Sequence, residues 1–334
     1  MRALRRRSWP LAAPVVIALA AAGLAGCSSE SVTPGSSHVV TYAVVGANAA
    51  NPGDTVAVVD NVNGKVGRPV TVGTLPSALA LVPGAADLLV TVKAQNELVE
   101  VATATGKVVG RVGVGLEPDA VAVTPDGKTA LVANFGDNTV TEVHLSGLTA
   151  GRTVHVGGQP VSIALTPDGH QALIANYQDG TLTPVALPSL TSGAPIPVGA
   201  GPVAVSVPSS TEALVADFQT SSLTPVALPA LAPLPSIPLG ANPTGIASGP
   251  PGTVVWVSAG YGITPVTLAG GVVGTAIPLG VPAECVAVTH RGQAWVCNGN
   301  GALIQVDLAS GRVLRTVAVG GIPSAAVVTD TVSS

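Results

Sequence analysis

The residues best able to do chemistry in this chain are three cysteines and a few loop carboxylates. A thiol can be acylated, paired with another thiol or bound to a metal, according to its neighbours and compartment. Cys27 ends the apolar run Leu24-Ala25-Gly26-Cys27, whereas Cys285 and Cys297 lie in ECVAVT and QAWVCN, on either side of His290-Arg291-Gly292. That turn is midway between the two thiols, so they can face each other across an antiparallel hairpin. Opposed Cα atoms there are about 4.5–5.5 Å apart, within disulfide reach. A Cys285–Cys297 disulfide is expected; the alternative is two reduced thiols in small core slots like those of Ala120 and Ala133. No further ligand has metal-site spacing, so no metal is expected. The five histidines do not converge, and no G-x-S-x-G elbow, P-loop or HExxH is present. For acid–base work that leaves the loop carboxylates Glu117, Asp119 and Glu284.

The amino terminus reads as an address. Arg2, Arg5, Arg6 and Arg7 precede an apolar stretch from Leu11 to Ala25, the pattern of an export signal. The ending at Cys27, followed by Ser28 and Ser29, resembles the lipobox of bacterial lipoproteins. That resemblance implies cleavage before Cys27, diacylglycerol on its thiol and often a fatty-acylated amine. The organisation expected is a signal over 1–26, a lipidated, Ser-rich tether over 27–37, and one domain over 38–334. Without the signal, Lys plus Arg falls from 14 to 10 against 18 acids, a formal charge of −8. Such a chain suits neither nucleic acid nor anionic lipid, so membrane contact should come from the lipid alone. No cofactor besides that lipid is expected. The location implied is the extracytoplasmic side of the cell membrane.

The elements that must position the other residues follow from composition and period. The chain has 334 residues, 47% hydrophobic, 10% charged and 2% aromatic, with 40 Gly and 29 Pro. Beyond the signal, no run approaches the ~18 apolar residues of a spanning helix. Low charge and many β-branched residues exclude disorder, and the glycines lack a collagen period. Glycine anchors recur instead at Gly73, Gly115, Gly157, Gly199, Gly240, Gly280 and Gly320, most opening a G-x-x-P loop, at intervals of 42, 42, 42, 41, 40 and 40. Each interval holds four short strand patterns separated by turns, which is the blade of a β-propeller. Six complete intervals make six blades. The carboxy-terminal GIPSAAVVTD supplies one strand of a seventh, and the amino-terminal VTYAVVGA, DTVAVVDN and RPVTVG supply three. The fold expected is all-β: a seven-bladed propeller of four antiparallel strands per blade, closed by that shared blade.

The segments ALVANFGDNTVTEV, ALIANYQDGTLTPV and ALVADFQTSSLTPV, with the PDG turns and G-x-x-P anchors, resemble the YVTN family of β-propellers. The resemblance spans about 39–334 and implies the architecture rather than an activity. Small ligands of propellers usually meet the face carrying the fourth-to-first and second-to-third loops. Here that face would carry Glu117, Asp119, Gln159, Asn242 and Glu284 together with Phe135, Tyr177, Phe218, Tyr261 and Asn300. Phe135, Tyr177 and Phe218 share one repeat position, where they either border a ligand or cap blade packing. The reading is a monomeric binding or scaffold module for a protein, peptide or envelope polymer. The alternative is a lactonase-like or lyase-like enzyme at the channel. Repeated Thr-Pro-Val at 183–185, 224–226 and 264–266 has no functional reading at this level.

Overall fold

A computed structural model describes residues 40–46, 53–249 and 253–329. Cys27, the signal expected over 1–26 and the tether expected over 27–37 lie outside them. The described residues form seven sheets arranged as a ring, with a single 3-10 turn at Lys93–Gln95. Blades 1 to 6 span 76–113, 118–155, 160–197, 202–238, 243–278 and 283–318. Blade 7 takes its inner strand, Ile322–Val328, from the carboxy terminus and its outer three, Val40–Gly46, Thr55–Asp60 and Val70–Thr71, from the amino terminus. Pairing of Val40–Gly46 with Ile322–Val328 closes the ring, and the Thr329 amide donates to the Val40 carbonyl at 2.9 Å. The seven-bladed expectation, including the shared blade, is what the chain builds. No sheet edge is left open at the seam.

Val, Ala and Leu alternate along strands that pack face to face, so the core is a set of apolar clusters shared between blades, with few aromatics. The anchor glycines have a steric cause. A Cβ on Gly115, Gly157 or Gly199 would lie 2.5, 2.7 or 2.5 Å from Asn134, Asn176 or Asp217 at the end of the same blade's second strand. The PDG turns hold by side-chain capture: Thr124 Oγ1 donates to Asp126 Oδ1 at 2.6 Å, and Thr166 repeats this with Asp168 at 2.6 Å. Those bonds hold both aspartate carboxyls below their ordinary range.

Cys285 and Cys297 are a directly opposed pair, with Cα atoms 4.9 Å apart, and are disulfide-bonded. Both are buried against Trp295 and the blade 6–7 core.

The Thr-Pro-Val repeats also find a structural reason. Pro184, Pro225 and Pro265 lie in third strands opposite Leu173, Leu214 and Trp256. On their other side only the carbonyl serves the ladder, accepting from Gly193, Leu234 and Gly274 at 2.7, 2.8 and 2.8 Å. The missing N–H interrupts the fourth strand, which in blades 3, 4 and 5 is two short pieces instead of one.

Candidate functional site

Every complete blade has a β-bulge near the start of its inner strand. In blade 2, Pro118 pairs with Asn134 and Ala120 with Ala133, leaving Asp119 as the extra residue. Val161, Val203, Thr244 and Glu284 are the corresponding residues of blades 3 to 6. A bulge re-aims one side chain out of the alternating pattern, and here it repeats around the inner edge of one face. Of the acids expected on this face, Asp119 and Glu284 are thus equivalent. Glu117 is exposed in the loop before Asp119.

Their surroundings differ. Asp119 is buried, with its carboxylate against the Lys93 ammonium of blade 1, whose side chain is 28% exposed. Burial raises the Asp119 pKa and the Lys93 charge opposes that rise. The same ammonium lies 5.5 Å from the centroid of the Phe135 ring, a cation–π arrangement. Glu284 is half-buried, and desolvation raises its carboxyl above the ordinary glutamate range.

Phe135, Tyr177 and Phe218 follow the ends of successive second strands, as expected. All three are half-buried, and Tyr177 and Phe218 pack against the core that runs from blade 4 to blade 7. Tyr177 also accepts a bond from Gln219 Nε2 at 3.3 Å, while Tyr261 is 67% exposed. Tyr177 and Phe218 thus take part in core packing, while Phe135 lies beside Lys93 and Tyr261 stands in solvent.

Most polar groups of the face serve the loops. Asn96 Oδ1 accepts from the Glu117 amide at 2.9 Å, and Asn138 Oδ1 from the Gln159 amide at 2.8 Å, stitching each blade to the next. Asn242 Nδ2 donates to the Phe218 carbonyl at 2.8 Å. The Asn300 amide donates to Asn298 Oδ1 at 3.0 Å. Asn134 donates to Thr139 and Thr141, and Asn176 to Thr181 and Thr183. In blade 4 an aspartate takes this place. Asp217 is fully buried and accepts from Thr224 Oγ1 at 2.6 Å, and burial pushes its pKa up to about 6.

Lys93 is the residue the sequence reading passed over. Aligning TVKAQNELVEV with VANFGDNTVTEV places it where the later blades carry Phe135, Tyr177 and Phe218, so the signal was present in the repeat. A cleft of about 480 Å³ opens beside it, lined by Leu75, Lys93, Asn96, Leu116 and Glu117 among others. No group of three or more His, Cys, Asp or Glu able to hold a metal occurs among the described residues.

No family model matches the chain, and no curated protein matches it in sequence. Solved structures do resemble it in fold. A protein of unknown function from Desulfotomaculum acetoxidans is 16% identical, with a TM-score of 0.75 over 86% of this chain and 98% of its own. A proposed 6-phosphogluconolactonase from Bacteroides uniformis is 15% identical, with a TM-score of 0.71 over 88% of this chain and 100% of its own. Hydrazine synthase of Kuenenia stuttgartiensis is 18% identical, with a TM-score of 0.68 over 80% of this chain and 90% of its own. At such identities the likeness concerns the fold.

Proposed function

We propose that the chain is a YVTN-type propeller lipoprotein, anchored through Cys27 on the extracytoplasmic side of the membrane. Its bulge-bearing face binds a protein, peptide or envelope polymer; it works as a monomer and does not engage nucleic acid. Support for the anchor comes from Arg2 to Cys27 and the Ser-rich segment behind it. One observation carries the binding reading: Lys93, Phe135, Tyr177 and Phe218 hold one repeat position on four successive blades, giving a cation and three half-buried aromatic residues along one arc. Aromatic residues beside a few polar groups suit recognition of an extended ligand.

The fold likeness to a proposed lactonase favours a second reading, a small-molecule enzyme at the channel. Against its metal-dependent form stands Lys93, whose ammonium already neutralises Asp119. Capture with the 38–334 domain as bait tests the first reading. Replacing Phe135, Tyr177 and Phe218 together by Ala should abolish recovery of partners; undiminished recovery would remove this arc from the account. Thermal stabilisation of the wild-type domain by Ca²⁺, Zn²⁺ or Mn²⁺ would favour the enzyme instead. A diacylglyceryl Cys27 peptide in the mass spectrum of membrane-extracted protein tests the anchor.

A further inference from the structure

Blade 2 contains a carboxylate at its bulge and supplies that carboxylate with an ammonium from its neighbour. Three positions make the arrangement: Asp119 at the bulge, Lys93 just after the second strand of the preceding blade, and Phe135 just after the second strand of its own. Blade 6 repeats the carboxylate and omits the rest. Glu284 is its bulge residue, Gly260 follows Val254–Ala259 of blade 5, and Gly299 follows Gln293–Asn298.

Gly299 borders the carboxylate, and Gly260 is hydrogen-bonded to the residue before Glu284. The Gly260 carbonyl accepts from the Ala283 amide at 3.0 Å, and a Cβ on Gly299 would stand 3.2 Å from Glu284 Oε1. A Cβ on Gly260 would meet only Ala241, at 3.5 Å, and Gly260 itself brings no side chain toward Glu284 where blade 1 brings Lys93 to Asp119. Among the described residues the Glu284 side chain has no hydrogen bond or ion pair, and the exposed Tyr261 is the next residue of the Gly260 loop. The chain has no Lys or Arg from 153 to 290, so blades 3 to 5 offer no internal cation to the notch.

We propose that the notch formed by Glu284, Gly260, Tyr261 and Gly299 is a binding site for an alkylammonium group carried by an external ligand. The group is a lysine side chain or a free amino terminus of a peptide. A half-desolvated carboxylate gains most from a partner that is both charged and a hydrogen-bond donor. Asp119 with Lys93 and Phe135 is the same site occupied from within. This inference rests on the binding-face reading and names the chemistry of its ligand.

The test uses the folded 38–334 domain and three short peptides. One carries a lysine with both ends capped, one has norleucine in its place with both ends capped, and one has norleucine with a free amino terminus. In a ¹H–¹⁵N titration the capped lysine peptide should shift the amides of Gly260, Tyr261, Glu284 and Gly299 together, and capped norleucine should not. The free-amine peptide decides between side chain and terminus as the source. Glu284→Gln should weaken the response about tenfold, with an unchanged melting temperature showing the variant folded. Equal shifts from lysine and capped norleucine, or a response unaffected by E284Q, would overturn the site. The two readings fail separately. Lysine-dependent shifts without any captured partner keep the notch and remove the wider binding role. Capture that is indifferent to E284Q, with no shifts, does the reverse.

Discussion

The outer edges of blades 1, 2 and 6 and those of blades 3, 4 and 5 solve one problem in two ways. In the first group the third strand carries Glu100, Glu142 or Gln305, and the fourth is a continuous strand bearing Lys107 and Arg111, Arg152, or Arg312 and Arg315. In the second group proline stands at the same repeat position, and the outer strand is broken and carries no charge. Charged side chains and prolines both deter a foreign strand from pairing with an exposed edge. What differs is the link to the next blade. Arg152 donates to the Ser189 and Pro188 carbonyls of blade 3 at 2.7 and 2.6 Å, and Gln305 Nε2 to the Asn61 carbonyl of blade 7 at 3.2 Å. The proline blades have no such polar latch at that position among the described residues. Every Lys and Arg after Arg7 falls in blades 6, 7, 1 and 2 or their connections.

Exchanging the two solutions should break the comparison most visibly. Pro225→Glu would place a carboxylate at a buried position of blade 4 with no arginine beside it. The expected loss is about 3 kcal/mol in urea unfolding at neutral pH. A neutral result would mean that the arginine partner is irrelevant to the polar edge.

A smaller effect separates blade 3 from blade 4. Asp217 stands where its neighbours carry asparagine, and burial pushes its pKa up to about 6 from an ordinary 3.8. Because the folded value is the higher one, the protonated acid is favoured by folding. That contribution is complete below about pH 4 and is lost as pH rises through 6. Asp217→Asn should abolish this decline and stabilise the domain at pH 7 by about 2 kcal/mol. Melting temperatures across pH 4 to 7 decide it; parallel curves for both proteins would place the cause elsewhere.

The smallest change sharpens the latch. Arg152 is largely exposed and its Glu142 partner is 8% exposed, at 3.4 Å. Arg152→Ala should cost about 1–2 kcal/mol, more than a surface ion pair, because it also strands Glu142 and two carbonyls. Glu142→Gln with Arg152→Ala should recover part of that loss in a double-mutant cycle.

Much of the architecture was legible because a propeller is one local unit repeated. Seven glycine anchors at nearly constant spacing define the blades, and Cys285 and Cys297 sit symmetrically about their turn, so the hairpin register alone opposes them. The site was less legible. Glu117, Asp119 and Glu284 look alike in sequence, since each is an acid just after a glycine anchor. Phe135 and its equivalents look like a ligand ring when only their spacing is known.

Sequence by itself determined the blade count, the shared closing blade and the opposition of the two cysteines, because these follow from local periodicity and strand register. Tertiary structure decided which carboxylate is already satisfied. Lys93 and Asp119 belong to different blades, as do Gly260 and Glu284. Whether such pairs meet depends on how neighbouring sheets stack and on where each bulge aims its side chain. Burial, which is complete at Asp119 and partial at the equivalent Glu284, is likewise set by the packing around a residue and not by its place in the repeat.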